Sequence, residues 1–180
     1  MSISCEEIVQ IYKENRNTLD KTIECIVQLL DKRVMKISTG ESCTGGLLSE
    51  LITAVPGASK VFEIGVCTYS DNMKKKLLHV PEKILSRFGA VSPQTAEAMA
   101  LGLRELSGAD LCISVTGLAG PGGGTDDCPV GTVYTGIILG DRICTAHLKT
   151  YEMCCMSRSE VRYAAAVCAF GIALRMLVEE

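Results

Sequence analysis

Hydrophobic spacing divides the chain into alternating helical and extended segments. Ile8, Ile11, Tyr12 and Leu19, then Ile23, Ile26, Val27 and Leu30, approximate one helical stripe and predict a single helix over residues 4–30. Val34 and Ile37 alternate and predict a short strand within 33–39. Leu47, Leu48, Leu51 and Ile52 return to helical spacing, giving a helix over 43–55 that Pro56-Gly57-Ala58-Ser59 stops. Residues 61–69 read as a strand and 72–78 as a short basic helix. Pro81 suits the first turn of a further small helix reaching Phe88. Ser92-Pro93 pairs a cap with a first-turn proline and opens a helix ending near Leu106. Residues 111–116 read as a buried strand, and 117–130 as a Gly/Pro loop. Residues 131–139 and 142–150 form two strands joined at Gly140-Asp141, and 157–178 a closing helix. This order predicts an α/β fold: a single three-layer α/β/α domain over residues 1–180. Its sheet is mixed and mostly parallel, with a C-terminal antiparallel hairpin.

Composition narrows the function classes. A chain that is 47% hydrophobic and 22% charged has ample material for a core, which excludes wholesale disorder. A net charge of -3, with 4% aromatics and no Trp, argues against a nucleic-acid binder, which would be basic and carry stacking platforms. The longest uncharged run, Leu111 to Thr125, is broken by Gly and Pro and falls short of the about 18 apolar residues of a spanning helix. The first residues carry Glu6 and Glu7 and lack a basic start, so no signal peptide is expected and the location is read as cytoplasmic, without a membrane partner. The ten cysteines include no C-x-x-C pair, and only His79 and His147 could assist a metal site. They read as reduced packing thiols, with no metal and no cofactor expected.

Four stretches carry candidate chemistry. Thr39-Gly40-Glu41-Ser42-Cys43-Thr44-Gly45-Gly46 lies between a strand and a helix, where unpaired N–H groups favour an anion or a developing oxyanion. Ser42 is a candidate nucleophile there, with Thr44, Gly45 and Gly46 supplying backbone donors; the alternative is that Ser42 merely caps the helix. Lys74 falls in the first turn of a short helix, where the positive helix end would depress its pKa and fit it to deprotonate a serine. The alternative is that Lys74, Lys75 and Lys76 form a solvated basic face. Gly117, Gly120, Gly122, Gly123 and Thr125 belong to a loop whose backbone N–H groups suit a phosphate or carboxylate, unless the loop is a plain connector. Arg158 and Arg162, four apart on one helix face, are candidate phosphate ligands, or else partners of Glu160.

Six stretches in order complete the pattern. They are Glu41-Ser42-Cys43-Thr44-Gly45-Gly46, Pro56-Gly57-Ala58-Ser59, Tyr69-Ser70, Gly89-Ala90-Val91-Ser92, the 116–125 loop and Pro129-Val130-Gly131-Thr132-Val133. Together they resemble the CinA C-terminal domain, which also occurs as the stand-alone nicotinamide-nucleotide amidohydrolase PncC; the likeness covers roughly residues 19–178. The resemblance implies deamidation of nicotinamide mononucleotide, with the family's serine on Ser42, its lysine on Lys74, its tyrosine on Tyr69 and its loop threonine on Thr116. The paired arginines of its last helix fall on Arg158 and Arg162. The resemblance and the residues meet on a Ser–Lys amidase, in which Tyr69 or Thr116 holds Lys74 or relays its proton. Three departures stand out. Asp71-Asn72 follows Tyr-Ser where the family often has Asn-Glu, and Met156-Ser157 replaces Gly-Asp before the first arginine. The larger N-terminal domain of full-length CinA, with its ADP-ribose pyrophosphatase activity, is not expected here. The expected partners are a small nucleotide substrate and further copies of the chain. A Ser-His-Asp triad using His79 or His147, and a non-catalytic nucleotide-sensing module, are the competing readings.

Overall fold

The computed structural model describes residues 3–153 and 157–179, so Cys154, Cys155 and Met156, the last of which belongs to the departure before the first arginine, lie outside the described residues. The element order is α1 Cys5–Asn15, α2 Leu19–Arg33, β1 Ile37–Glu41, α3 Leu47–Thr53, β2 Phe62–Cys67, α4 Asp71–Leu78, α5 Glu82–Phe88, α6 Pro93–Ser107, β3 Leu111–Gly117, β4 Val133–Leu139, β5 Arg142–His147 and α7 Arg158–Val178. The sheet order is β2-β1-β3-β4-β5. β2, β1 and β3 run parallel; β4 is antiparallel to β3, and β5 to β4. Four of the five strands therefore point one way. This is the mixed, mostly parallel sheet with a terminal hairpin that the pattern predicts, and helices cover both faces.

On one face α7 lies against α1, α2 and α3, with Ile23, Ile26, Leu30, Phe170 and Ile172 buried at the contact. On the other, α4, α5 and α6 pack through Leu78, Leu85, Met99 and Leu103 against Cys112 and Ile138. α7 alone among the described helices is long and apolar enough to cross a membrane. Its hydrophobic window is 72% buried, as in the core helix of a globular fold.

Three predicted boundaries need correction. The 4–30 stripe is two helices. The Asn15 amide donates to the Ile11 carbonyl and its oxygen accepts from the Thr22 hydroxyl, so the polar run 15–18 turns the chain. Val34 does not open a strand: α2 runs to Arg33, and Val34 closes it in the left-handed region at φ 56° with 89% of its surface exposed. The third helix starts at Leu47 rather than residue 43, because Gly45 and Gly46 take φ of 58° and 97° and hold the chain in a turn.

The crossovers leaving β1 set the site. β1 sits between β2 and β3, and α3 joins it to β2 across one face, while α4, α5 and α6 lead from β2 to β3 across the other. The segments after β1 and β3 diverge, leaving a crevice at the carboxyl ends of the strands, where open α/β sheets bind ligands.

Candidate active site

Ser42 is the first residue beyond β1. Its N–H donates to the Val115 carbonyl at 3.0 Å, which ties it to the end of β3. It does not cap α3; Gly46 is the N-cap residue, so the capping explanation of this serine fails. Ser42 instead turns its hydroxyl toward Lys74, whose Nζ donates to Ser42 Oγ at 3.1 Å and to the Thr68 carbonyl at 2.9 Å.

Lys74 is 1% exposed and the bulkiest of the fully buried side chains. Lys76 is exposed, and Lys75 reaches Glu82 on the surface, so the run of three is not one solvated face. Burial holds the Lys74 pKa below its ordinary value, opposed by the Asp71 charge and by Cys43. The expected cause is therefore wrong although the direction is right. Ser70 caps α4, which places Lys74 past the first three helical positions, and desolvation rather than the helix end is the largest influence.

A cleft of about 240 Å³ opens over this pair. Ser42, Cys43, Tyr69, Lys74, Thr116 and Arg158 line it, with Gly117, Gly120 and Gly122 of the loop. Thr44, Gly45, Gly46, Gly123, Thr125 and Arg162 do not line it. Thr125 is engaged within its own loop, exchanging backbone bonds with Cys128. No described residue lining the cleft is a histidine: His79 is exposed at the end of α4, 3.7 Å from Glu105, and His147 stacks on Tyr134. Among the described residues no three His, Cys, Asp or Glu side chains gather as a metal centre would need.

The two arginines separate. Arg158 donates to the Gly120 carbonyl at 2.7 Å and to the Tyr69 hydroxyl at 2.8 Å, at the rim of the cleft. Both acceptors are neutral, so they leave the guanidinium charge for a ligand. Arg162 grips the Thr44 carbonyl through Nε at 3.1 Å and a terminal nitrogen at 2.6 Å, bracing the turn that carries Ser42. Glu160 serves neither; it forms a capping box with Ser157. Tyr69 and Thr116 do not hold Lys74 either. Tyr69 holds Arg158, and the Thr116 hydroxyl donates to the Ala90 carbonyl at 2.7 Å.

Two participants escaped the sequence. The Thr68 carbonyl, which anchors Lys74, is a backbone atom that no residue type advertises. Glu41 is fully buried, and its carboxylate accepts from the N–H groups of Gly46, Leu48 and Ser49 and from the Ser49 hydroxyl, at 2.8 to 3.1 Å. The signal was present: α3 begins at a glycine, which has no side chain to cap it, and an acidic residue stands five positions earlier. This corrects the expected oxyanion donors. Gly46 N–H serves Glu41 and Gly45 N–H bonds the Ser42 carbonyl, so two of the three expected donors are already engaged.

Five of the eight described cysteines are not simple core residues. Cys5 and Cys67 are exposed, Cys25 and Cys128 half-buried, and Cys43 lines the cleft, its thiol pushed up to about 12 by burial.

A three-layer α/β fold that sets a buried lysine against a serine at the carboxyl end of β1 has the arrangement of a Ser–Lys site. The sequence model described as "CinA C-terminal domain" matches residues 19–177. The chain belongs to that family. A CinA-like protein of Desulfotalea psychrophila is 42% identical over 94% of this chain and 40% of its own length. A CinA-like protein of Thermotoga maritima is 48% identical over 69% of this chain and 30% of its own length. The chain thus spans less than half the length of these curated relatives. Among solved structures, competence/damage inducible protein CihA from Agrobacterium tumefaciens superposes with a TM-score of 0.82 at 34% identity, covering 87% of this chain and 94% of that one. A CinA superfamily protein from Escherichia coli gives 0.81 at 31% identity, over 91% and 97%.

Proposed function

We propose that this chain is an amidohydrolase that converts nicotinamide mononucleotide to nicotinate mononucleotide and ammonia. The observation that carries the reading is the 3.1 Å contact between Lys74 Nζ and Ser42 Oγ, made by a lysine 1% exposed. A serine becomes nucleophilic when a base within hydrogen-bond reach takes its proton, and a lysine does so when burial favours its neutral form.

Ser42 Oγ attacks the carboxamide carbon while neutral Lys74 accepts the hydroxyl proton. The tetrahedral adduct expels ammonia, protonated by Lys74, and leaves an acyl-enzyme. Water, deprotonated by the same amine, hydrolyses the ester and returns Ser42. Arg158 and the Gly117–Gly122 backbone hold the 5′-phosphate. No metal or cofactor takes part, and the chain acts in the cytoplasm as a homo-oligomer on a small molecule, without nucleic acid or membrane.

Ammonia release from the mononucleotide by purified protein tests the reading. Ser42→Ala should lower kcat by about 10³-fold or more while the protein stays folded. Full activity in folded Ser42→Ala would overturn the covalent route. Binding without ammonia release in the native protein would make the chain a nucleotide-sensing module.

A further inference from the structure

We infer that Glu41 is a positioning residue for the Ser42–Lys74 pair, an inference that rests on the amidohydrolase reading above. Its backbone is clamped at the end of β1, where Glu41 pairs with Cys67 on one side and Val115 on the other. Its side chain reaches across the turn and binds α3 at four donors, Gly46, Leu48 and Ser49 N–H and the Ser49 hydroxyl. The five-residue segment carrying Ser42 is thereby closed into a loop fixed at both ends. Within it, Gly45 N–H bonds the Ser42 carbonyl at 3.1 Å.

The same residue connects to the lysine. The Glu41 carbonyl accepts from Thr68 N–H at 2.8 Å, and the Thr68 carbonyl accepts from Lys74 Nζ at 2.9 Å. One peptide unit of β1 thus spans the two halves of the catalytic pair. Ser42 is placed through the Glu41 side chain and Lys74 through its main chain. The carboxylate touches neither reacting atom, so its contribution is geometric: it holds Oγ within reach of Nζ.

A carboxylate suits this place and an amide does not. All four partners act as donors to it, and a charged acceptor binds backbone N–H groups more strongly than a neutral one. In Glu41→Gln the side-chain NH₂ would replace an acceptor and face backbone N–H donors, Gly46 and Leu48 on one side or Ser49 on the other, where only the Ser49 hydroxyl could turn to accept from it, and the turn would shift. Sub-ångström to 1 Å displacement of a reacting group costs up to about 10²-fold in rate.

The test compares native protein with Glu41→Gln and, as a milder change that keeps the carboxylate, Ser49→Ala. Each is checked for folding by circular dichroism. Two readouts follow: kcat and KM for nicotinamide mononucleotide, and the rate at which a fluorophosphonate labels Ser42. Expected are a fall in kcat of about 10²-fold for Glu41→Gln, with KM nearly unchanged and labelling slowed in parallel. Ser49→Ala should show a smaller fall in both rates. If Glu41→Gln does not fold, the Ser49→Ala result decides. Native kcat and labelling in the folded variants would overturn the positioning role and leave the Ser–Lys reading intact. A native protein that neither releases ammonia nor labels at Ser42 would overturn the Ser–Lys reading, and this inference with it.

Discussion

Lys74 concentrates the tension between stability and chemistry. In the proposed mechanism a neutral amine takes the serine proton, so activity should rise with pH along a limb centred below the ordinary lysine value of about 10.4, the direction that burial imposes. Lys74→Met should stop turnover, whereas Lys75→Met and Lys76→Met should leave it near native; equal activity in all three would remove Lys74 from the mechanism. For stability the same substitution has the opposite effect, although stability itself rises with pH as activity does. Between the depressed folded pKa and the ordinary value, the unfolded chain binds a proton that the folded chain lacks, so stability rises with pH through that window. Below it the lysine is charged in both states and the burial cost is fully present. Lys74→Met removes a buried amine and keeps its volume. It should therefore gain about 0.5–2 kcal/mol near neutral pH in denaturant titrations, the gain shrinking as pH rises. Arg162 gives a second test, because it braces the Thr44 carbonyl without lining the cleft. Arg162→Lys loses the paired contact and should lower kcat with little change in KM, while Arg158→Lys should chiefly raise KM.

Helix α4 delivers Lys74, and its seat on α6 fixes how deep the lysine goes. Gly102 on α6 is where the two helices touch: a Cβ there would lie 1.7 Å from the Leu78 carbonyl at the end of α4. Gly102→Ala should cost about 1–3 kcal/mol by overpacking and should also lower kcat, because α4 must move away with its lysine. Gly122, in the loop lining the cleft, has nothing within 4 Å of its Cβ position. Gly122→Ala should leave stability within about 0.5 kcal/mol and act, if at all, on KM. Thermal denaturation paired with kinetics separates the two. The glycines of the loop are therefore not equivalent. Gly117 meets Thr132 and Val133, and Gly120 and Gly124 meet Val130, so close approach by itself requires glycine at those three positions.

For the molecule as a whole, the proposed mechanism rests on an amine and a hydroxyl inside a hydrophobic frame. Activity should therefore persist in excess EDTA and in reductant. Loss on chelation that zinc restores would instead place a zinc site among the cysteines. The exposed Cys5 and Cys67 lie outside the cleft lining, so capping them with a thiol reagent should leave kcat unchanged.

Most of the architecture was legible in the order of elements, because burial of one stripe per helix and of both faces of the central strands forces a sheet covered on each side. The Ser92-Pro93 pair marked the start of α6 for the same local reason, whereas the capping box of Ser157 and Glu160 on α7 came only with the structure. Ser42, Lys74 and the loop were legible as candidates, since residue type and strand–helix context are local properties. Their meeting was not. Residues 42 and 74 come together only when the β1-to-β2 crossover is closed and α4 folds over it, and burial of Lys74 is a property of the packing around it. The same holds for the division of labour between Arg158 and Arg162, one helical turn apart, and for Glu41, whose partners are N–H groups that exist as donors only once α3 has formed. Periodicity placed the apolar atoms; the assignment of each buried polar atom to a partner waited for the fold, because hydrogen bonds are satisfied in space and not along the chain.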